Sequence, residues 1–484
     1  MTYLGCLQPP KKQNSQMHVM SPVRSLERYF SRFRQNIIGQ EQFFETPYGP
    51  QRIIYADWTA SGRAYRPIEM RLQEEILPFF ANTHSRSTIT GERMSNAYEE
   101  ARTIVREHVN AREDDCLIFS GSGMTAAVNK LQRIMGLRIP ERLMGYIDCP
   151  RPEEAARPLV LVTHMEHHSN HISWLETIAT VEMIRPAADG NVDLQHLREL
   201  LERFRHRKNK IAAVTACSNV TGIETPVHEI AAIMHEYDGL CFVDYACSAP
   251  YVPINMHPGP RSKDLDAIYF SFHKFLGGPG TPGVLIFNSG LYRNRIPDEP
   301  GGGTMLYSNP WGVHEYVADV QQREEGGTPP ILQAIKAGMC IRLKEEMGLE
   351  NMLCREKEMV LRLLDGLGKI AGVQILGAAT KRLGIVSFIV RNAHYDLIVR
   401  LLNDRFGIQS RGGCSCAGTY GHLLLDIGEE RSYQILDSLR AGDNWSKPGW
   451  VRLSVHPTMT DAEIDYIIDA VEITVELSSH IPSP

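Results

Sequence analysis

Short apolar runs alternate with amphipathic stretches through the first two thirds of the chain. The apolar runs, each predicted to be a strand, are Cys116–Ser120, Pro158–Thr163, Ile211–Cys217, Leu240–Asp244, Ala267–Phe270 and Gly283–Phe287. The stretches with helical periodicity between several of them are Met124–Leu137, Leu194–Arg205 and Val227–Tyr237. Repeated strand and helix alternation predicts an α/β fold with a mostly parallel sheet covered on both faces. In such sheets ligands bind at the carboxyl ends of the strands.

The pattern changes after about residue 300, where glycine, proline and other loop residues dominate up to about residue 330. A helix is predicted from about Ile331 to Leu367, broken near Gly348. The remaining predicted elements are strands near Val373–Ile375, Gly384–Val390 and Trp450–Val455, and helices at Tyr395–Phe406 and from Asp461. We therefore expect a large unit over residues 51–330 and a smaller α+β unit over residues 331–484.

Residues 1–50 are predicted to be an N-terminal extension. Ser21-Pro22 and the spaced apolar residues from Val23 to Ile37 predict one amphipathic helix. We expect this helix to pack on the body of the protein or on a second subunit. A targeting role is the alternative, since the segment contains several arginines.

Composition excludes some functional classes. The net charge is −6, and no basic patch interleaved with aromatic residues indicates nucleic-acid binding. No apolar run approaches the ~20 residues that span a bilayer. The ten cysteines are scattered, which is typical of a reduced protein, so we expect a cytoplasmic location and no membrane association.

Lys274 follows an apolar strand and precedes a glycine-proline turn. A buried ammonium group is costly unless it has a role, and burial suits an amine that forms a Schiff base with a carbonyl. Asp244 also ends an apolar strand, and a protonated pyridine nitrogen is one cation that could face it. An aspartate and a Schiff-base lysine are the usual protein groups of pyridoxal phosphate chemistry. If Lys274 is considered without the other residues, the alternative is that its side chain extends from the strand end into solvent.

Three other strand ends carry candidate residues. Gly121 to Ala126 joins a strand to a helix, so Gly123 could let backbone N–H groups approach a phosphate. A dinucleotide site is a poor fit, because no acidic residue ends a strand about 20 residues later. His167 lies among four histidines that could bind a metal, although their spacing matches no zinc pattern and no metal is expected. Asn219 follows a third strand, so that five strand ends converge on one predicted site.

These residues resemble the class V aminotransferase group of pyridoxal-phosphate enzymes, in its cysteine desulfurase and selenocysteine lyase branch. The resemblance covers roughly Ile53 to Glu472. The motifs that carry it are Ser271-Phe272-His273-Lys274, Glu166-His167-His168-Ser169-Asn170, Ser218-Asn219-Val220-Thr221-Gly222, the loop 323–329 and the loop 411–417. It implies the fold type I of pyridoxal-phosphate-dependent transferases, with a seven-stranded large domain and a small C-terminal domain.

The resemblance also implies roles for the cofactor-binding residues. Lys274 would anchor pyridoxal phosphate and act as the general base, and His167 would stack on the ring. Asn219 would lie beside the ring hydroxyl, and Asp244 would face the pyridine nitrogen. The residues around the phosphate would be Gly123, Met124, Thr125, Ser271 and His273. Thr328, in the loop 323–329, would reach the phosphate of a partner subunit, which implies a homodimer.

Cys416 matches the family's nucleophile, which would take sulfur from L-cysteine, or selenium from selenocysteine, and leave alanine. Arg452 would bind the substrate carboxylate, and Arg411 is the second substrate-binding candidate, which would also make the thiol's surroundings electropositive. The alternatives are another class V activity (a C–S lyase, an epimerase or an aminotransferase) or a non-catalytic sulfur carrier or regulator. A sulfur-accepting protein is a possible partner.

The chain departs from the family pattern at several positions. Cys247 stands where glutamine is usual and Met124 where threonine is usual, and no tyrosine-asparagine pair follows Arg452. Cys414 adds a second thiol two residues before Cys416 and could form a labile disulfide with it. Two alternatives remain for these cysteines. They could simply be small residues that fit a tight loop, or they could bind a metal together with His422.

Overall fold

A computed structural model describes residues 25–83, 86–147, 152–377 and 381–480. The helices in these ranges are α1 (Leu26–Arg34), α2 (Arg66–Arg71), α3 (Ile89–His108), α4 (Met124–Ile134), α5 (His168–Leu175), α6 (Leu194–Arg203), α7 (Val227–Glu236), α8 (Val320–Glu324), α9 (Ile331–Met347), α10 (Leu349–Lys369), α11 (Tyr395–Phe406), α12 (Gly418–Leu424), α13 (Glu429–Arg440) and α14 (Asp461–Ser478).

The strands in the same ranges are β1 (Phe43–Phe44), β2 (Gln51–Arg52), β3 (Ile54–Tyr55), β4 (Asp115–Ser120), β5 (Leu159–Thr163), β6 (Thr180–Ile184), β7 (Lys210–Thr215), β8 (Leu240–Asp244), β9 (Ala267–Ser271), β10 (Gly283–Asn288), β11 (Met305–Ser308), β12 (His314–Tyr316), β13 (Val373–Ile375), β14 (Ile385–Val390), β15 (Ile408–Gln409), β16 (Arg411–Gly413) and β17 (Trp450–Ser454).

A seven-stranded sheet in the order β4-β10-β9-β8-β7-β5-β6 forms the centre of the large unit. The pairs from β9 through β6 are parallel, whereas β10 is antiparallel to both β9 and β4. The predicted α/β fold with a mostly parallel sheet is therefore confirmed. All six predicted strands are present, and the seventh, β6, escaped prediction because it is an edge strand whose residues are mostly only half-buried.

Alternate residues of the central strands enter two separate apolar layers. In β10, Val284 and Ile286 join the larger layer with α3, α7 and α9. Leu285 and Phe287 face the opposite layer with α4. Burial on both faces explains why these strands appear in the sequence as continuous apolar runs rather than as an alternating pattern.

The C-terminal unit contains a four-stranded antiparallel sheet in the order β13-β14-β17-β16. The predicted helix break is confirmed, because α9 ends at Met347, α10 begins at Leu349 and Gly348 has a φ of +76°. Residues 300–330, predicted to be loop, contain the short hairpin β11–β12 and helix α8, which is a correction.

The N-terminal segment packs on the C-terminal unit. Helix α1 buries Phe30 and Phe33, and Arg34 forms an ion pair with Glu463 of α14 at 2.7 Å. The helix is shorter than predicted, with Ser25 as its N-cap; Ser21 to Val23 lie outside the described residues. Strand β3 pairs in parallel with β15, so residues just after position 50 contact the C-terminal unit, and the division at residues 50 and 330 stays a prediction.

Within the described ranges, no helix combines the length and apolar character needed to cross a membrane.

Candidate active site

A cavity of about 770 Å³ opens at the carboxyl ends of the central strands. The predicted site residues that line it are Gly123, Met124, Thr125, His167, Asn219, Asp244, Ser271, His273, Lys274, Arg411, Cys416 and Arg452. The cavity brings together residues that are up to 329 positions apart (Gly123 and Arg452). Those that follow β4, β7, β8 and β9 lie where the strand-end rule predicts, whereas Arg452 comes from β17 of the C-terminal unit.

The loop before α4 forms an open cradle for an anion. Gly123 precedes the helix without a side-chain cap, and the Met124 N–H donates a hydrogen bond to Ser271 Oγ at 2.8 Å. His273 Nδ1 donates to the Ser122 carbonyl at 3.1 Å. A Cβ at Gly123 would lie 2.9 Å from Ser271 Oγ, so only glycine keeps this space open. The free N–H groups of the first turn and the helix dipole favour a phosphate here.

Lys274 lies directly after β9 with its side chain lining the cavity. Burial lowers the pKa of Lys274, with a smaller contribution in the same direction from the charge of Arg452. Within the described part of the chain its amine forms no hydrogen bond and no ion pair. Because a lowered pKa increases the fraction of neutral amine, Lys274 is suited to act as a nucleophile or base.

Asp244 is buried at the end of β8, where its Oδ1 accepts a hydrogen bond from the Ala246 N–H at 2.7 Å. Burial raises the pKa of Asp244 to about 6. No cation of the described residues lies within ion-pair distance of it. A buried carboxylate with a single hydrogen bond is a receptive partner for a cationic ring nitrogen.

His167 is the N-cap of α5, and its Nδ1 accepts a hydrogen bond from the Ser169 N–H at 3.1 Å. Burial, with the nearby charge of Lys274, lowers the pKa of His167 to about 3. The ring is therefore neutral at physiological pH, with its proton on Nε2, and can stack against an aromatic group without adding charge to the cavity.

The other histidines of this segment contact different partners. His168 Nε2 accepts a hydrogen bond from the Gly418 N–H at 2.8 Å, and His171 Nδ1 lies 3.1 Å from Thr419 Oγ1. His164 packs edge-on against Tyr420. In the described ranges no group of three or more His, Cys, Asp or Glu side chains is arranged to hold a metal ion.

Asn219 connects the cavity wall to the cysteine loop. Its Nδ2 donates to the Ser415 carbonyl at 2.8 Å, while its buried Oδ1 has no partner among the described residues. Ser415 and Cys416 both have positive φ, at +51° and +56°. Two consecutive non-glycine residues in this region are strained, and such strain is common at functional sites.

Arg452 is buried in β17 and held from two sides. Its Nη1 donates to the Asn219 carbonyl at 3.0 Å, and its Nη2 lies 2.5 Å from Asp57 Oδ1. The Nε–H of Arg452 is buried and has no partner within the described part of the chain. Since a guanidinium has five N–H groups, Nη1 and Nη2 each also keep one N–H beyond these two bonds, which could serve a further carboxylate.

The two alternate residues that follow Arg452 contact the N-terminal segment. Ser454 Oγ accepts a hydrogen bond from the Thr59 N–H at 3.0 Å, and His456 stacks on Trp58 with ring centres 4.2 Å apart. Both side chains fix the N-terminal segment rather than line the cavity.

The thiols of the loop are separate. The eight cysteines of the described residues are free, including Cys414 and Cys416. Cys416 lines the cavity, whereas Cys414 packs against the main apolar layer. Cys247 also lines the cavity, and its Sγ donates to the Cys217 carbonyl at 2.9 Å.

The chain matches a known protein family. The model of the aminotransferase class-V family matches residues 54–467, which is most of the chain. The chain belongs to this family.

Among curated relatives of this class V chain, a probable cysteine desulfurase of Halalkalibacterium halodurans is 29% identical over 373 residues, covering 75% of this chain and 84% of that protein. A probable cysteine desulfurase of Streptomyces coelicolor is 26% identical over 427 residues, covering 87% of this chain and 92% of that protein.

Solved structures with the same fold include an apo cysteine desulfurase of Thermococcus onnurineus NA1. It has a TM-score of 0.73 and 25% identity, with 96% of this chain and 100% of that chain covered. A cysteine desulfurase of Escherichia coli has a TM-score of 0.72 and 21% identity, covering 93% and 99%, which supports the fold alone. The predicted fold type is thereby confirmed.

Thr328 is the one predicted site residue that lies outside the main cavity of the class V chain. It lines a second cavity of about 540 Å³ with Gly121 and Lys130, and its Oγ1 accepts a hydrogen bond from Asn82 Nδ2 at 3.1 Å. Its predicted contact with a partner's phosphate stays a prediction.

Two acidic residues near the site were not singled out from the sequence. Glu166 is buried between β5 and β7, where its Oε1 accepts from Thr163 Oγ1 at 2.6 Å and from the Thr215 N–H at 2.8 Å. Burial raises the pKa of Glu166 to about 8. Asp57 contacts Arg452, as described above. The apolar run before Glu166 was the available signal for the first, whereas no local pattern marks Asp57.

Proposed function

We propose that this class V protein is a pyridoxal-phosphate-dependent cysteine desulfurase. It would convert L-cysteine, or selenocysteine, to alanine and leave the removed sulfur or selenium on Cys416. The observation that carries the proposal is the shared cavity of a lysine, a buried aspartate, an arginine with a spare donor and a cysteine in a strained loop. The names of its relatives are consistent with this chemistry.

The residues present fit pyridoxal phosphate. The open cradle at Gly123 suits the phosphate, the unpartnered Asn219 Oδ1 can accept a hydrogen bond from the ring hydroxyl, and Asp244 lacks a cation. Lys274 would hold the group covalently, with neutral His167 against its ring. When bound, pyridoxal phosphate supplies an electron sink conjugated to the substrate's α-carbon.

The chain's own side chains would perform the proton and binding steps. Arg452 lines the cavity and would bind the substrate carboxylate, assisted by Arg411. The Nζ of Lys274 would accept the α-proton, which its lowered pKa favours. Asp244 would keep a proton on the ring nitrogen, because its negative charge is otherwise unpaired in a buried position.

Cys416 would act as the nucleophile towards sulfur. Its thiolate Sγ would form a bond to the substrate sulfur while the substrate's Cβ–S bond breaks. The electron pair of that bond stays with Cβ, which takes up a proton and becomes the methyl group of alanine, while Lys274 Nζ would return a proton to the α-carbon. A persulfide remains on Cys416, so the step balances without an external oxidant or reductant.

The proposal includes the surroundings of the enzyme. A homodimer would allow the loop 323–329, with Thr328, to complete the partner's phosphate site, since Thr328 does not reach the cavity of its own chain. A cytoplasmic location would keep the eight described cysteines reduced, and a second protein would accept the sulfur.

The test uses the protein reconstituted with pyridoxal phosphate. The wild type should show visible absorbance of bound cofactor and form alanine from L-cysteine. Lys274→Ala should lose both signals, and Cys416→Ser should keep the absorbance but release no sulfur. Cys354→Ser, which changes an exposed cysteine on α10, is the matched control. A protein that never acquires the absorbance overturns the proposal, and full turnover in Cys416→Ser would favour an epimerase or aminotransferase.

A further inference from the structure

A buried lysine outside the main cavity contacts the turn that follows Asp244. Lys344 belongs to α9 and is 4% exposed. Its neighbours on the same helix, Ile341 and Met347, belong to the main apolar layer. A buried amine costs free energy that a hydrophobic side chain of similar size avoids, so packing alone does not explain a lysine at this position.

The amine of Lys344 binds the end of this turn. Its Nζ donates hydrogen bonds to the Ala249 carbonyl at 2.7 Å and to the Val252 carbonyl at 2.7 Å. Within the described ranges, neither carbonyl accepts a hydrogen bond from another group. Carbonyl groups left unpaired away from water destabilise a fold, so Lys344 satisfies two groups that the turn itself leaves open.

His108 and Glu345 lie next to the same amine. Lys344 Nζ is 3.1 Å from His108 Nε2, and His108 Nδ1 is 3.4 Å from Glu345 Oε1. Burial, with the charge of Lys344, lowers the pKa of His108, so the neutral ring can donate to Glu345 and accept from Lys344. Burial lowers the pKa of Lys344 to about 7. The neutral amine keeps two N–H groups, one for each carbonyl, so the contact with the turn does not require a positive charge.

The turn bound by this lysine also forms a wall of the cavity. Residues 245–252 are linked by main-chain hydrogen bonds, among them one from the Ala249 N–H to the Tyr245 carbonyl at 2.8 Å. Asp244 and Ala246, at the start of the turn, line the cavity. The Ala246 N–H donates to Asp244 Oδ1 at 2.7 Å, so the turn itself orients the carboxylate. A contact at the far end of the turn therefore affects the position of Asp244.

We propose that Lys344 is a positioning residue for the cofactor site, which holds the turn 245–252 so that Asp244 faces the ring nitrogen of pyridoxal phosphate. The inference rests on the proposed function, in which Asp244 has that partner. It adds a residue of α9, outside the cavity, to the groups that determine how tightly the ring nitrogen is bound.

The test titrates the cofactor-free full-length protein with pyridoxal phosphate and with its deaza analogue, in which a C–H group replaces the ring nitrogen. Titration calorimetry gives both dissociation constants. Wild type should prefer pyridoxal phosphate, and Lys344→Met should reduce this preference about tenfold, because Asp244 is no longer held against the nitrogen. Equal affinity of wild type for the two probes, or an unchanged preference in Lys344→Met, overturns the proposal.

A further contact of Lys344 is the reason for comparing two probes. Its Nζ lies 5.7 Å from the centre of the Phe275 ring, next to Lys274. A disturbance of the Lys274 turn would weaken both probes equally, because both carry the aldehyde. A displaced Asp244 weakens only the probe that has the nitrogen, so equal weakening of both probes in Lys344→Met also overturns the proposal.

Lys210→Met is the matched control. Lys210 is also buried, at 6% exposure, and its Nζ donates to the Tyr237 carbonyl at 2.9 Å. It begins β7, at the end of the strand away from the cavity, so its replacement should cost stability but leave the preference unchanged. An equal loss of preference in Lys210→Met and Lys344→Met would contradict a specific role for Lys344.

A second variant does not depend on the stability of Lys344→Met. Ala249→Gly keeps the lysine but loosens the turn at a carbonyl that it binds, so the preference should fall about threefold. An unchanged preference in Ala249→Gly overturns the role of the turn. The two proposals fail separately: absence of alanine formation by wild type contradicts the desulfurase, whereas alanine formation with an unchanged preference in Lys344→Met contradicts only the role of Lys344.

Discussion

The side-chain amide of Asn219 donates a hydrogen bond to the carbonyl of Ser415 across 2.8 Å, although the two residues are 196 positions apart. This bond joins the loop after β7 to the turn that presents Cys416. It constrains Ser415, the first of the two residues with positive φ. The proposed cofactor-binding loop and the proposed nucleophile Cys416 are therefore joined by a direct hydrogen bond between their loops.

Replacing Asn219 by alanine should disturb the position of Cys416. Loss of one buried hydrogen bond corresponds to about 1–2 kcal/mol, so kcat/KM for L-cysteine should fall about 5- to 30-fold. Steady-state alanine formation measures this effect. Ser387→Ala is the matched control, because Ser387 Oγ donates to the Val220 carbonyl of the same loop at 2.7 Å but does not line the cavity. Equal losses in both variants would contradict a specific role for the Asn219 bond.

Gly62 allows the N-terminal segment to pack closely against the backbone of the turn that contains Lys274 and Phe275. A Cβ at this position would lie 1.8 Å from the Phe275 carbonyl oxygen and 3.0 Å from that of Lys274. Gly62→Ala should destabilise the protein by about 1–3 kcal/mol, since backbone atoms must move to relieve the overlap. It should also weaken retention of pyridoxal phosphate.

Denaturant unfolding and the visible absorbance of bound cofactor report these two effects of Gly62→Ala. Gly145→Ala provides the control, because a Cβ there has no atom within 4 Å. Normal stability and normal cofactor retention in Gly62→Ala would show that the Lys274 turn tolerates displacement.

The two thiols of the cysteine loop should differ in sulfur loading. Cys416 lines the cavity and Cys414 does not, so the persulfide should form on Cys416 alone. Cys414→Ser should keep both alanine formation and the persulfide, and Cys416→Ser should carry no persulfide on Cys414. Alkylation after a single turnover, followed by peptide mass spectrometry, locates the added sulfur. A persulfide found first on Cys414 would contradict this assignment.

Glu356 should make stability depend on pH. Its side chain is buried on α10, where Oε1 accepts from the Gly384 N–H at 2.9 Å and no cation of the described residues pairs with it. Burial raises the pKa of Glu356 from 4.5 to about 8. Because the folded protein holds this proton more tightly than the unfolded chain, the contribution of Glu356 to stability falls as pH rises from about 4.5 to 8.

Glu356→Gln removes this titration and retains an oxygen for the Gly384 N–H. The variant should match wild type at low pH and exceed its stability on the order of a few kcal/mol above pH ~8. Urea unfolding across this range measures the difference. Glu350→Gln, an exposed substitution on the same helix, should follow the wild-type curve. A constant difference between Glu356→Gln and wild type at all pH values would rule out this buried carboxyl as the source.

Much of the site could be predicted from the sequence because it depends on local signals. A strand that is buried on both faces appears in the sequence as a continuous apolar run. The first polar residue or glycine after the run marks the end of the strand. Asp244 and Lys274 could therefore be assigned to strand ends, and parallel strands bring such ends to one edge. The structure brings them to one cavity with Gly123, His167 and Asn219.

Only the tertiary structure shows which distant segments of the chain pack against the sheet edge that forms the cavity. Asp57 meets Arg452 and Gly62 lies under Phe275 because the N-terminal segment pairs with β15 and bridges to Ser454. These contacts join residues more than 200 positions apart, and no periodicity or turn signal in the sequence encodes their register. The sequence by itself determined the strands, their ends and the chemistry of the residues found there. The packing of distant backbone segments, which depends on shape and hydrogen bonding in the folded protein, determined that Arg452 is held between Asp57 and the Asn219 carbonyl.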